Sequence, residues 1–411
     1  MPDGPLLVLG GGRHQLRLIA RATERGIAVA VSDYYPDAPG KAIAALPRDL
    51  DALDVEANVA FAREIGAAGV VTTGTDMAVA TMAAVAEACG LPCWLSAEGA
   101  RIATNKALAH EAIVAHGGVR PACARVTSPD DPALDGVPLP AVVKPADSQG
   151  QRGVRRVEDR TALAGAVTGA LAHSRAGIAV VEQFVAGGEI TANAWVTGGE
   201  VRLLAVTDRI TYNPPPSIGI AFRHVFPSAW AAGRHDEVAA NVAAAAAAYG
   251  MTEGPLYVQM LVDDDAIHLV EAGARVGGGH EAGLIPLVAG ADVTDPVIDL
   301  ALTGSGSPGF DPPRATHALV NFVLARPGTV AALTGLDPAP DGVTEGGFYV
   351  RPGAELTRIT DGQGRVGYFI AAADDAGALR TTADAAYRSL RVLDDSGENL
   401  VFMPEPGFVN D

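Results

Sequence analysis

The stretch Gly254 to His280, GPLYVQMLVDDDAIHLVEAGARVGGGH, restricts this chain more than any other. Leu256 to Val262 reads as a strand, Asp263, Asp264 and Asp265 as a tight acidic turn, and Ile267 to Glu271 as a second strand that breaks into a glycine run. That pattern predicts a β-hairpin. Gln259 falls in the middle of one arm and Glu271 ends the other, so pairing brings an amide oxygen near a carboxylate, with Arg275 following in the loop. Two hard oxygen donors beside a guanidinium suit a magnesium-phosphate site. An edge hairpin with a charged tip has the same local pattern, and only the rest of the chain separates the two.

At 411 residues the chain exceeds one ordinary core, and about two to four domains are expected. No apolar run is long enough for a membrane span, since the alanine-rich stretch Val238 to Ala248 is short and interrupted by Asn241. The N-terminus, MPDGPLLVLGGG, carries an acid where a signal peptide carries positive charge, and a cytoplasmic location is expected. A net charge of −18 with scattered basic residues argues against nucleic acid and anionic membranes as partners and in favour of small molecules. The three cysteines, Cys89, Cys93 and Cys123, imply reduced thiols. Cys89 and Cys93 flank a helix-to-strand turn rather than half of a zinc site.

Taken in order, Leu6 to Leu9, the glycines 10 to 12, a helical pattern and a strand from Ile27 to Ser32 make a βαβ opening. The third glycine of a dinucleotide fingerprint is missing, so NAD is disfavoured. Helix Val55 to Ile65, strand Gly69 to Thr73 and helix Ala78 to Cys89 complete a small parallel α/β domain, with Asp76 read as an N-cap. Lys106 begins an amphipathic helix, where the macrodipole disfavours a cation unless an anion is held there. Lys144 sits near the end of strand Ala141 to Pro145, and a polar glycine-bearing loop, Ala146 to Val154, follows it, an arrangement suited to polyphosphate. Glu182 and Glu189 are separated by a bend at Ala186 to Gly188. Three prolines in Asp208 to His224 predict a stiff loop, with Arg209, Arg223 or His224 meeting a substrate carboxylate.

In order and approximate spacing, Lys106, Lys144 with its loop, Glu182-Gln183-Phe184-Val185, Glu189, Gln259, Glu271 and Arg275 resemble the ATP-grasp enzymes over roughly residues 1 to 312. The resemblance extends to D-alanine:D-alanine ligase, biotin carboxylase and carbamoyl-phosphate synthetase. The segment Gly364 to Ala371 with the helix after it is similar to the C-terminal domain of L-amino acid ligases. The implied fold class is α/β (α+β overall): a Rossmann-like domain at 1–103, a lid lobe at 104–187, a large lobe at 188–311, and a C-terminal α+β domain at 312–411.

By that resemblance, Lys106 and Lys144 bind the phosphates of ATP, and the loop with Ser148, Gly150 and Gly153 closes over them. Glu182 and the backbone of Gln183, Phe184 and Val185 meet adenine, and Glu189 meets ribose. Gln259 and Glu271 hold Mg2+ or Mn2+, while Arg275, with Lys144, stabilises the transferred phosphoryl group. The chain departs from the family once: where Glu-x-Asn-x-Arg is usual, it reads Glu271-Ala272-Gly273-Ala274-Arg275, without the asparagine ligand. Gly278 and its neighbours, with His280, are expected beside the acyl intermediate, where backbone N–H groups of 277–279 would steady an oxyanion. The implied activity is a carboxylate-amine ligase for amino acids or similar metabolites, expected as a homodimer. The alternatives are a bicarbonate-using carboxylase or carbamoyl-transferring synthetase, and an ATP-binding regulator that has lost catalysis.

Overall fold

The structure, a computed structural model, describes residues 4–147, 153–215 and 217–405. The chain opens with a four-stranded parallel sheet of β1 (Leu6–Leu9), β2 (Val29–Asp33), β3 (Leu46–Asp49) and β4 (Gly69–Val71), ordered β3-β2-β1-β4. The fully apolar β1 is buried along its whole length, as a central parallel strand requires. Helices α1 (Leu16–Glu24), α2 (Val55–Glu64) and α3 (Val79–Cys89) alternate with these strands. Gly90, at φ 66°, ends α3 in the left-handed conformation, so the segment between Cys89 and Cys93 is a helix-ending turn and all three cysteines are free thiols.

After α4 (Ala97–Ala103) and α5 (Lys106–Ala115) comes a small lobe. Its sheet holds β5 (Cys123–Val126), β6 (Ala141–Pro145), β7 (Arg155–Val157) and β8 (Ala179–Gln183) in the order β5-β8-β6-β7, with α6 (Arg160–Ala172) packed on one face. Val126, Val143, Val181, Leu163 and Val167 give this lobe a core of its own. Ser148 and Gly150 lie outside the described residues.

The large sheet has eight strands: β9 (Gly188–Thr197), β10 (Glu200–Tyr212), β11 (Ile220–Phe226), β12 (Glu253–Val262), β13 (Ile267–Gly273), β14 (His317–Val323) and two more from the C-terminal region. Helix α7 (His235–Ala248) lies between β11 and β12, and α8 (Glu281–Val288) and α9 (Thr294–Thr303) follow β13. Apolar residues of β1, β4, β9 and β12 share one core, which fixes the N-terminal sheet against the large one. The hairpin expected from Gly254 onward is β12–β13, with Gln259 and Glu271 directly opposite in register. It does stand at the sheet edge, and the chain covers that edge: the Leu269 N–H donates to the Val119 carbonyl at 2.7 Å.

The expected loop from Asp208 to His224 is instead mostly a hairpin. β10 and β11 pair as far as Tyr212 and Ile220, with Arg209 opposite His224, and only 213–219 connect them. Pro214 and Pro215 lie in that connection, where a missing N–H costs no ladder bond, and the alternating flanks are free to pair. In the last region, short strands β15 (Gly328–Thr329), β16 (Ala332–Thr334), β18 (Glu355–Leu356) and β20 (Arg391–Leu393) accompany β17 (Val343–Phe348), β19 (Gly367–Ala373) and α10 (Ala376–Ser389). β14, β19 and β17 complete the large sheet, so the sheet runs unbroken past the proline pair 312–313. No helix among the described residues is long and apolar enough to cross a membrane.

Candidate active site

A cavity of about 400 Å³ lies between the small lobe and the large sheet. Lys144 and Glu182 enter it from neighbouring strands. Val142 and Glu182 are register partners, and Lys144, two residues on, shares their face. The Lys144 Nζ stands 2.5 Å from Glu182 Oε2, and the buried Arg120 places a second cation 3.4 Å from Oε1. Burial opposes ionisation of Glu182, but Lys144 and Arg120 outweigh it and hold the carboxyl below its ordinary value. The segment Gln183 to Val185 lines the same wall, and the Arg156 guanidinium lies 3.8 Å from the centre of the Phe184 ring. Gly153, at φ 75°, packs beside Pro145 and His173 and is not part of the wall.

Lys106 is the first residue of α5, whose exposed N–H groups are capped by the Asn105 side chain. The anion expected beside it is Glu271, whose Oε1 lies 2.9 Å from Lys106 Nζ. Despite burial, Lys106, Lys144 and Arg275 hold the Glu271 carboxyl down to about 2, so it is ionised at neutral pH. Across the hairpin, the Gln259 amide nitrogen donates to Glu189, leaving its side-chain oxygen as the group available to a cation. An ionised carboxylate opposite an amide oxygen fits Mg2+ or Mn2+, which use few protein oxygens together with phosphates and water. Glu189 also accepts from Arg209, so it is engaged on two sides.

A second cavity, about 180 Å³, opens on the other side of Glu271 and Gln259 and is bounded by Arg275, Arg209, His224 and Arg365. Here Asp76, read from the sequence as an N-cap, proves to be something else. Its Oδ2 accepts from Arg275 Nη2 at 2.6 Å, and the residue is only 7% exposed. The cap position of α3 is Ala78, with no side-chain hydrogen bond. Nothing local in the sequence marks this pair, because its members lie 199 residues apart.

The substrate candidates separate once placed. Arg209 donates to Glu189 and to the Gly219 carbonyl, so it braces the site more than it awaits a ligand. Arg223 lies on the opposite face of β11 and donates to Asn321 Oδ1 at 2.8 Å, outside this cavity. His224 faces the cavity, but burial, then Arg209 and Arg365, push it down to about 3; it is neutral and cannot hold a carboxylate by charge. His280 turns away and stacks on Tyr368 with ring centres 3.4 Å apart, its Nε2 2.6 Å from the Tyr349 hydroxyl. Gly278 lines the cavity, and a Cβ there would lie 2.5 Å from the Gly74 carbonyl oxygen, so the glycine permits contact between domains. The Gly279 N–H, expected to steady an oxyanion, is given to Glu281 at 2.6 Å.

Sequence reasoning missed Arg365, which reaches the second cavity from the C-terminal region. It is 9% exposed, donates to the Gly362 carbonyl at 2.7 Å, and lies 3.9 Å from the Phe322 ring centre. Burial outweighs the more distant Glu281 charge and lowers the Arg365 pKa to about 10. The signal was the Gly364 to Ala371 segment, whose strand was legible while its destination was not.

Lysines from two elements thus face a carboxylate and an amide on an antiparallel sheet. Residues 137–282 match the ATP-grasp domain, and residues 321–393 match the L-amino acid ligase C-terminal domain 2. The chain therefore carries an ATP-grasp domain followed by an L-amino acid ligase C-terminal domain. Among solved structures it is similar to L-amino acid ligase from Bacillus licheniformis, with TM-score 0.81 and 21% identity over 96% of this chain and 100% of that one. Phosphoribosylglycinamide synthetase from Anaerococcus prevotii gives TM-score 0.78 and 18% identity, over 95% and 100%. These likenesses concern the fold. The uncharacterized protein y4rH of Sinorhizobium fredii is 29% identical over 259 residues, 61% of this chain, and the match spans about half (52%) of that relative's length.

Proposed function

We propose that this chain is an ATP-dependent carboxylate-amine ligase acting on amino acids or amino-acid-like metabolites. The observation that carries this reading is the pair of cavities meeting at Gln259 and Glu271. One is walled by two lysines suited to phosphates, the other by guanidiniums suited to a carboxylate. A carboxylate held by Arg365 in the second cavity would attack the γ-phosphate of ATP held in the first, giving an acyl phosphate and ADP. An amine would then displace phosphate to form the amide. Lys106 and Lys144 offset the charge that gathers on the phosphoryl oxygens, and Arg275, which lines the second cavity with Glu271, would meet the transferred group there. When bound, Mg2+ or Mn2+ supplies further neutralisation of the phosphates from Gln259 and Glu271. No side-chain nucleophile is needed.

The L-amino acid ligase type C-terminal domain supports amine ligation over carboxylation. The experiment is a phosphate-release screen over pairs of amino acids, with mass detection of the product. Release that requires both an acid and an amine, with a condensed product, is the expected result. Release that depends on bicarbonate instead would overturn the ligase reading.

A further inference from the structure

We propose that Asp76, delivered by the N-terminal domain, is an oxygen ligand for a second divalent cation beside Glu271. It would fill the place left by the missing side chain at Gly273. The inference rests on the ATP-dependent reading above. Asp76 has two carboxylate oxygens in different circumstances: Oδ2 accepts from Arg275 Nη2, while Oδ1 is buried with no hydrogen-bond partner among the described residues, as is the Arg275 Nε nearby, so the guanidinium meets the carboxylate through one oxygen only. A buried carboxylate oxygen left unpaired is costly, so such an atom calls for a ligand.

Its position says which ligand. A Cβ built on Gly273 would lie 2.2 Å from Asp76 Oδ1, so that oxygen sits in the volume an asparagine side chain at 273 would fill. The glycine is thus not simply a loss. It is the space that admits a carboxylate from another domain, at the point on β13 two residues beyond Glu271 and on the same face. Asp76 borders two of the three cavities that Glu271 borders, one beside Lys106 and the other beside Gln259 and Arg275, while the third, walled by Lys106 and Lys144, reaches Glu271 without touching Asp76. An oxygen at that junction can meet a cation that Glu271 shares. Two carboxylates and an amide, completed by phosphate oxygens, are a donor set that Mg2+ and Mn2+ accept.

The test counts bound Mn2+ by electron paramagnetic resonance, using the full chain with a non-hydrolysable ATP analogue. The native protein should bind two Mn2+ per chain. Asp76→Ala should keep one and bind the other at least tenfold more weakly, and Asp76→Ala with Gly273→Asn should regain it, since the alanine removes the oxygen 2.2 Å from a Cβ at 273 and leaves only the flexible end of Arg275, 3.1 Å away, to give way. If Asp76→Ala does not fold, Asp76→Asn, which can still accept from Arg275, should weaken the second Mn2+ severalfold. Unchanged binding of both ions in the folded variant overturns the proposal. So does one Mn2+ in the native protein, or an Asp76 variant that keeps both ions while the KM for the amine rises. Failure of the native chain to bind the analogue at all would instead overturn the ATP-dependent reading.

Discussion

Lys106 Nζ and Glu271 Oε1 stand 2.9 Å apart, joining the first residue of a helix to the edge strand of the large sheet. The pair explains how a lysine tolerates the positive end of a helix dipole: a carboxylate from a distant segment neutralises it. It also keeps Glu271 ionised and close to the phosphate-facing lysine. Replacing Glu271 by Ala removes the charge partner of Lys106 and an expected metal oxygen together. Amine-dependent ADP release should fall by at least about 100-fold, equivalent to about 2.7 kcal/mol. Near-normal turnover would refute the metal assignment.

Lys144 and Glu182 form a buried pair, and truncating Lys144 leaves the buried Glu182 carboxylate with only the more distant Arg120, 3.4 Å away. Lys144→Met should destabilise the protein by about 3–5 kcal/mol, and Glu182→Gln added to it should cost far less than a further independent loss. A double-mutant cycle by chemical denaturation measures this. Additive losses would mean that the two side chains do not depend on one another.

Arg365 is a cation in the cavity proposed for the acid substrate. Arg365→Met should raise the KM for that acid by about 100-fold while leaving affinity for ATP within about twofold, since a charge-assisted pair contributes up to about 3 kcal/mol. Steady-state kinetics with each substrate varied in turn separates the two effects. A rise in the ATP KM alone would move Arg365 out of the acid site.

Three histidines, His224 buried and His14 and His280 half-buried, set the acid limit of stability. Burial, aided by nearby guanidiniums, pushes His14 and His224 down to about 3; burial, then His14 and Arg365, pushes His280 to about 2. Their ordinary value is 6.5. Below that value the unfolded chain binds protons that the folded chain refuses, so stability is full above it and falls as pH drops toward 3. Each histidine adds a slope approaching about 1.4 kcal/mol per pH unit. The Tm should therefore decline steadily from pH 6.5 to 5, and His280→Asn, which tolerates the positive φ of 62° there, should make the decline shallower. A Tm that is flat across this range would contradict the buried neutral state.

The sequence by itself determined the local elements and much of the first cavity. Two apolar runs around an acidic turn were enough to bring Gln259 near Glu271, which the structure makes register partners, and strand Ala141 to Pro145 was legible to the residue. Such signals are local, because a strand's pleat and a turn's chemistry are written in adjacent residues. Prolines misled at Asp208 to His224 because Pro214 and Pro215 interrupt only the connection, and which face Arg223 takes depended on the pairing of β11 with β14. Tertiary structure alone decided the meeting of Asp76 with Arg275, the arrival of Arg365, and the neutrality of His224. Each depends on which distant segment is packed alongside, and on the water that packing removes. Gly273 holds both lessons: its departure from the family pattern was visible in the sequence, while the carboxylate that occupies its space became visible only once the domains were brought together.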